Sequence, residues 1–469
     1  MHVDDFPKDA EEFYARRDDR TNRYAGSGRG YQRAHCLVTA GPCALDTLAG
    51  QVTLLAACNL LSRWCRRVTV VAPPAAALPR IDARSPALAD LILGQMQDAD
   101  PFGLFEFAGE APGGATVQLH VGEDFTPRAP RHAAVSAAGW LASLSRSGAD
   151  ALPAVGGDNC LGAVAAACLG VAQIFKMAAG LPDDRLLADG TLDIFRLRRL
   201  DADAPAQDHP YVPTPDLGRL LMVGAGSVGS AAAYCLRLMS ARGDLAVVEK
   251  DVVKVENFNR SPIFGRAVYG WGKAHAVAAH LAGSNLSVTP YEVWWDEFVR
   301  MHGRAPNEFD VWLPLANEFG VRWAMQNNYP PLIVQASTTS NWGVNHGRHL
   351  FGRDDCLADR FPSEAPPEAM QCSTAEVPSD GEHVDAALPF LSMFAGLLVA
   401  AELARLQLPS YPQAPNFALF DFGGELTEIQ AWDMKPRQGC ACLRQSAALH
   451  ARFNGATRYY LQTQPLDVH

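Results

Sequence analysis

The chain has 469 residues, 48% hydrophobic and 19% charged, so it can bury two or three ordinary cores, with two domains the better prior, and nothing marks it as disordered. A formal net charge of −11 argues against nucleic acid or an anionic membrane as principal partner, although a local basic patch stays open. Eleven cysteines, an odd number with several in apolar patterns, fit reducing cytoplasm better than a disulfide framework.

Residues 1–29 are a charged N-terminal segment without the apolar stretch of a secretion signal. Taken alone, its arginines Arg16, Arg17, Arg20 and Arg23 read as a solvated tail. An α/β region is predicted over 30–201. Cys36 to Thr39 is strand-like, Gly41-Pro42-Cys43-Ala44-Leu45-Asp46 stands at a turn, a helix covers Gln51 to Trp64, and Arg67 to Val71 is a second strand. This is the plan of a nucleotide-binding unit without its chemistry. Gly41 is the one glycine at the turn, Pro42 removes a backbone N–H, and no acid closes the strand, which ends Val70-Val71-Ala72-Pro73. No nucleotide is expected here.

The longest uncharged apolar runs, Asn159 to Phe175 and Ala386 to Ala401, fall short of the ~20 residues a membrane span needs and read as buried helices. Both lie in small-residue-rich helices, Asp158 to Met177 and Ala386 to Leu406, able to pack tightly on a sheet or on each other. Cys58, Cys65, Cys160, Cys168 and Cys235 sit in apolar helical patterns as packing residues, and Cys36 and Cys43 flank a strand and turn with no evident chemistry. The Pro-rich stretch 202–216 is the natural linker.

The second unit, 217–445, opens with the strand Leu220 to Val223, the turn Gly224-Ala225-Gly226-Ser227-Val228-Gly229 and a helix from Ser230 to Met239 whose N–H groups can face an anion. The next strand ends in Glu249, which is 249 − 224 = 25 positions on, near the ~20 expected of a ribose-binding acid. NAD and ATP fit equally to this point. Asp251, Asn257, Arg260 and Lys273 follow, and fixed cations suit a triphosphate losing pyrophosphate better than hydride transfer. Further on lies Cys372, in a long polar Pro- and Ser-containing loop, 351–384. Residues 446–469 form a C-terminal tail without informative pattern.

The succession of GxGxxG, strand, Glu249-Lys250-Asp251, Asn257-Phe258-Asn259-Arg260 and Gly272-Lys273 resembles the ubiquitin-activating enzymes and their sulphur-carrier relatives in molybdopterin and thiamine synthesis, with one residue missing between Gly272 and Lys273. The resemblance implies an α/β fold of two Rossmann-like adenylation lobes forming a pseudo-dimer, the first inactive and the second active; an unrelated N-terminal α/β domain is the alternative. It implies ATP with Mg2+, Glu249 on the ribose, and Asn257, Arg260 and Lys273 around the phosphates. Tyr14-Ala15-Arg16-Arg17 resembles the start from which relatives send an arginine to the γ-phosphate, which makes Arg16 the candidate and Arg17, Arg20 and Arg23 its substitutes.

Cys372, in Cys372-Ser373-Thr374 with Pro378 beyond, is by the same resemblance the thioester nucleophile. The partners implied are a ubiquitin-like protein with a C-terminal glycine and a separate conjugating-enzyme-like protein. Relatives in bacterial ubiquitin-like operons, some of them antiphage, are comparably short. Self-association stays open. Two departures stand out. Ala316-Asn317-Glu318 replaces the family's Asp-Asn pair, leaving Glu318, Asp251 or a water to reach magnesium. Cys356, Cys440 and Cys442, with Asp359, fall where relatives carry a structural Zn2+, but neither Cys-x-x-Cys pair is intact, so a site that has lost its metal is the alternative. Adenylation without a thioester, a vestigial nucleotide-binding scaffold and an NAD-dependent oxidoreductase are the competing functions.

Overall fold

The computed structural model describes residues 5–25, 29–148, 151–200, 209–302, 308–316, 319–339, 341–350, 353–357, 374–375, 384–385, 387–409, 415–424, 429–440 and 459. Two short helices, α1 (Ala10–Arg17) and α2 (Asp19–Ala25), lead into two lobes. The first contains β1 (His35–Ala40), α3 (Pro42–Leu45), α4 (Leu48–Ser62), β2 (Arg67–Val71), α5 (Leu88–Ala99) and β3 (Leu104–Phe107). It continues through β4 (Val117–Val121), β5 (Arg131–Ala138), β6 (Leu141–Ser145), α6 (Leu161–Ala178), β7 (Gly190–Asp193) and β8 (Arg198–Arg199).

The second lobe starts with β9 (Asp216–Val223), α7 (Ser227–Leu238), β10 (Arg242–Val248), α8 (Val255–Phe258), α9 (Lys273–Leu281) and β11 (Leu286–Tyr291). Then come α10 (Trp295–His302), β12 (Val311–Pro314), α11 (Phe319–Gln326), β13 (Leu332–Thr338) and β14 (Gly343–Leu350). A small pair, β15 (Thr374–Ala375) and β16 (Val384–Asp385), precedes α12 (Pro389–Arg405), β17 (Phe417–Asp421) and β18 (Ile429–Trp432).

The two eight-stranded sheets have one plan. Their orders are β3-β2-β1-β4-β5-β6-β7-β8 and β11-β10-β9-β12-β13-β14-β17-β18, so each strand of one has a counterpart in the other. The first five strands of each order pair in parallel and the last three antiparallel. In such α/β sheets the order reverses beside the first strand, and the crevice beyond the strand ends there is the natural ligand site. That point lies between β1 and β4 in one lobe and between β9 and β12 in the other.

The two small-residue helices pack in both of the expected ways. A Cβ on Gly396 of α12 would lie 2.4 Å from the Ala232 nitrogen of α7, and one on Gly170 of α6 would lie 2.8 Å from Leu119 of β4, so glycine is what allows these approaches. Phe175 of α6 meets Trp342 and Phe390 at centroid distances of 5.8 and 5.9 Å, which joins the lobes in one core. Among the described residues α6 has the length and hydropathy of a membrane span, and protein encloses it.

Three expectations need correction. The N-terminal segment is no solvated tail: Phe13 is fully buried against Phe102 of the first lobe and Phe258 of the second, at 5.4 and 6.2 Å. Helix α4 begins at Leu48, where Thr47 Oγ1 accepts from Gly50 N at 3.1 Å, and α7 begins at Ser227, inside the glycine turn. The second half of the linker is fastened to the first sheet: His209 Nε2 bonds Asp193 Oδ2 at 2.9 Å, and Trp140 Nε1 donates to Pro210 O at 3.0 Å.

Candidate active site

A cavity of about 740 Å³ opens beyond the ends of β9, β10, β12 and β13. The glycine turn forms one wall, and each glycine has its own reason. Gly224 has φ 98°, and a Cβ there would lie 2.3 Å from Ala316 N, just past β12. A Cβ on Gly229 would lie 2.2 Å from Gly224 O, so this residue sets the helix against the turn. Gly226 faces open space, which lets a bulky ligand approach the backbone at the start of α7.

Glu249, immediately after β10, is held by two backbone donors. Its Oε2 accepts from Ala225 N and its Oε1 from Asp251 N, both at 3.0 Å. This fixes a carboxylate on the wall where the strand ends.

Cations come from several elements. Lys273 opens α9 and pairs with Asp251 Oδ2 at 2.8 Å. Backbone bonds between 251–253 and 270–273, including Lys273 N to Asp251 O at 2.8 Å, hold that start in place. Asn257 Oδ1 accepts from Lys254 N at 2.9 Å. Arg260 follows α8, and its Nη1 donates to Glu256 O and to Asn259 Oδ1, the latter at 2.8 Å. From the N-terminal segment, Arg16 Nε donates to Glu256 Oε1 at 2.8 Å. This bond raises the Arg16 pKa; burial works against charge on Glu256, but Arg16 keeps that carboxyl below its ordinary value.

The cavity gathers Gly224, Gly226, Glu249, Asp251, Asn257, Arg260, Lys273 and Arg16. Gly229 supports the turn from beneath. Of the substitutes for Arg16, Arg20 also lines the wall. Arg17 does not serve: it is wholly buried, bonded to Asp18 Oδ1 at 2.7 Å and to Asp100 Oδ2. Arg23 pairs with Asp19 at 2.9 Å along α2, away from the wall. Asn317, Glu318, Asp359, Cys372 and Cys442 lie outside the described residues.

Sequence reasoning missed Arg322, which is 4% exposed, lines the cavity and donates from Nε to Ala316 O at 3.3 Å. Its signal was a single basic residue in the apolar helix FGVRWAMQ. It also missed Val293, Trp294 and Trp295, which line the cavity beyond β11 and belong to no motif. Cys356 and Cys440, 84 positions apart, have sulfurs 3.7 Å apart, close to the edge of about 3.8 Å that follows from tetrahedral Zn–S bonds of about 2.3 Å. No group of three or more metal-ligating side chains occurs among the described residues.

The first lobe has a corresponding cavity of about 640 Å³, lined by Gly41, Pro42, Ala72, Pro73, Phe107 and His120 among others. Among the described residues, Arg128 is the arginine on that wall, and no lysine joins it. His120 is bonded to Thr39 Oγ1 at 2.9 Å and to Glu123 O at 2.6 Å, and burial lowers its pKa. This lining does not suit a polyphosphate. Burial pushes the Cys58 and Cys160 thiols up to about 12, in keeping with packing roles.

Two repeated α/β lobes, with a cation-lined cavity beyond the strand ends of the second, define the fold and its candidate site. Residues 217–442 match the ThiF family and residues 35–184 match the BilD N-terminal domain. A curated relative, an uncharacterized protein, y4jF, of Sinorhizobium fredii (strain NBRC 101917 / NGR234), is 30% identical over 290 residues, covering 59% of this chain and 53% of the relative. The chain thus spans about half the length of that relative. Crystal structures of E. coli MccB with ATP and with MccA-N7isoASN each cover 48% of this chain and 67% of theirs, at 16% and 14% identity and TM-scores of 0.38 and 0.36.

Proposed function

We propose that the chain activates the C-terminal glycine of a ubiquitin-like protein by adenylation, carries it as a thioester on Cys372, and passes it to a conjugating-enzyme-like protein. The observation that carries this reading is the meeting of Gly226, Glu249, Arg260, Lys273 and Arg16 in one cavity. Glu249 would accept from the ribose hydroxyls of ATP. The α7 N-terminus, Asn257, Arg260 and Lys273 would take the phosphates, with Arg16 or Arg20 nearest the last of them. Asp251, or Asn317 and Glu318 through water, would meet Mg2+, which when bound neutralises phosphate charge.

In the first step a glycine carboxylate oxygen bonds to the α-phosphorus as the bond to pyrophosphate breaks. The fixed cations stabilise the charge that develops on the leaving group. In the second, the Cys372 sulfur, as thiolate, bonds to the acyl carbon and AMP departs with the electron pair of the broken bond. Ala387, just past β16 and 15 positions after Cys372, lines the cavity, which supports a Cys372 within reach of this site. Cytoplasmic action, in a bacterial system of the antiphage kind, is the setting proposed.

ATP and the cognate modifier are expected to give a thiol-sensitive covalent adduct, absent in Cys372→Ala while ATP–pyrophosphate exchange persists. An adduct that survives in Cys372→Ala moves the nucleophile; exchange with no wild-type adduct favours adenylation alone, as in sulphur-carrier or peptide activation. A structural zinc on Cys356, Cys440 and Cys442 belongs to the same proposal. Stoichiometric zinc in the purified chain, lost in Cys440→Ser, is expected, and metal-free protein of unchanged stability would exclude it.

A further inference from the structure

We infer that Arg63, in the lobe whose cavity does not suit a polyphosphate, is a positioning residue for the phosphate-facing loop of the other lobe. The inference rests on the second lobe's cavity being an ATP site. Asn257 and Arg260 stand on a short segment, 257–264, that runs from α8 into irregular chain, where its own bonds, Arg260 N and Ser261 N to Asn257 O and Phe264 N to Ser261 O, close turns without tying them to the rest of the molecule. The first lobe supplies that anchorage.

Arg63 lies at the end of α4, one turn beyond Asn59, and is 2% exposed. Its Nη1 donates to Phe258 O at 2.7 Å and to Phe264 O at 3.1 Å, and its Nη2 donates to Pro262 O at 2.6 Å. Asn59 holds the fork in register: its Oδ1 accepts from Arg63 Nε at 2.8 Å, and its Nδ2 donates to Pro262 O at 3.0 Å. On α5, Asp98 Oδ1 accepts from Ala267 N at 2.7 Å, which anchors the far end of the same loop.

A buried guanidinium ordinarily faces a carboxylate. These partners are three backbone carbonyls and a side-chain amide, all but the amide from a single loop of the opposite lobe. Burial pushes the Arg63 pKa down to about 9, which still leaves the cation at neutral pH. A rigid planar fork fixes the direction of each carbonyl it binds, whereas an ammonium would fix one point. With the carbonyls of Phe258 and Pro262 turned toward α4, Arg260 between them is left on the cavity wall, its guanidinium bonded to Glu256 O and Asn259 Oδ1.

The competing reading is a mere interlobe brace. Arg80 is such a brace: it donates to Met239 O at 3.0 Å and Pro213 O at 2.8 Å behind α7, away from the phosphate wall. Calorimetric titration of the full chain with Mg–ATP and, separately, with adenosine distinguishes the two. Arg63→Ala should weaken Mg–ATP by about tenfold or more while leaving adenosine binding unchanged, since the displaced loop meets phosphates only. Millimolar guanidinium should restore Mg–ATP binding, and equal ionic strength from sodium should not. Arg63→Lys should recover part of the loss, and Arg80→Ala should lower thermal stability without separating the two ligands.

Unchanged Mg–ATP affinity in folded Arg63→Ala, or equal weakening of both ligands, overturns the positioning role and leaves the ATP site standing. If Arg63→Ala does not fold, Arg63→Lys and Asn59→Ala carry the same readout. A wild-type chain that does not bind Mg–ATP removes the ATP reading itself, and this inference with it.

Discussion

The two lobes share a strand order and differ at the ends of their strands. In the second, β9 leads into a turn opened by Gly224 and Gly226 and β10 leads into Glu249; in the first, β1 leads into Gly41-Pro42 and β2 into Ala72-Pro73. The same sheet therefore forms with or without a glycine turn and a cluster of cations beyond its strands. Buried apolar strands and close-packed helices determine the sheet, and a few residues beyond the strand ends determine what it can hold. The first lobe has taken another task. Its cations Arg63, Arg80, Lys176 and Arg185 reach across to backbone carbonyls of the second.

The contrast breaks most completely if the cations of the second cavity are removed. Lys273→Ala and Arg260→Ala should each reduce ATP–pyrophosphate exchange by about 10²–10³-fold at unchanged melting temperature, while Arg128→Ala in the first cavity leaves exchange intact. Next in size is the packing of α12 on α7 within the second lobe. Gly396→Val has no room beside Ala232 N and should cost about 1–3 kcal/mol in chemical denaturation, whereas Gly94→Ala, exposed to open space on α5, should be neutral or stabilising.

A smaller effect is expected of Arg16, which the N-terminal segment lends to the second lobe: Arg16→Ala should raise the KM for ATP about tenfold, measured by exchange. Smallest is a pH effect. Lys176 Nζ donates to Gly424 O at 3.0 Å across the interface, and burial, with Arg185 nearby, pushes its pKa down to about 7 from 10.5. The unfolded chain keeps that proton to about 10.5 and the folded chain releases it near 7, so unfolding takes up a proton between those values. Stability from this group rises with pH across that window and is flat below it. Melting curves of Lys176→Met should lose that slope, and an unchanged slope would assign it elsewhere.

Much of the site was legible because its residues sit in a short, ordered succession. Gly224, Glu249, Asn257, Arg260 and Lys273 all fall within 50 positions and at four strand or helix ends, so local periodicity already places them near each other. Arg322 was not legible, because one arginine in an apolar helix looks the same whether it meets solvent or a cavity. The tail reading of 1–29 failed because Phe13 finds its pocket among Phe102 and Phe258, residues 89 and 245 positions away, and no local pattern encodes such a meeting.

By itself, the order of apolar runs, glycines and charges determined that this chain folds as two α/β units and that the second carries a glycine turn followed by a succession of cations, because strand pairing, helix periodicity and turn preference act over a few residues. Which arginines face the cavity, which are buried as braces, and that the loop bearing Arg260 is held by Arg63 were decided only by the tertiary structure. A guanidinium's role depends on the carbonyls and carboxylates that folding brings within about 3 Å of it, and those partners lie far away along the chain.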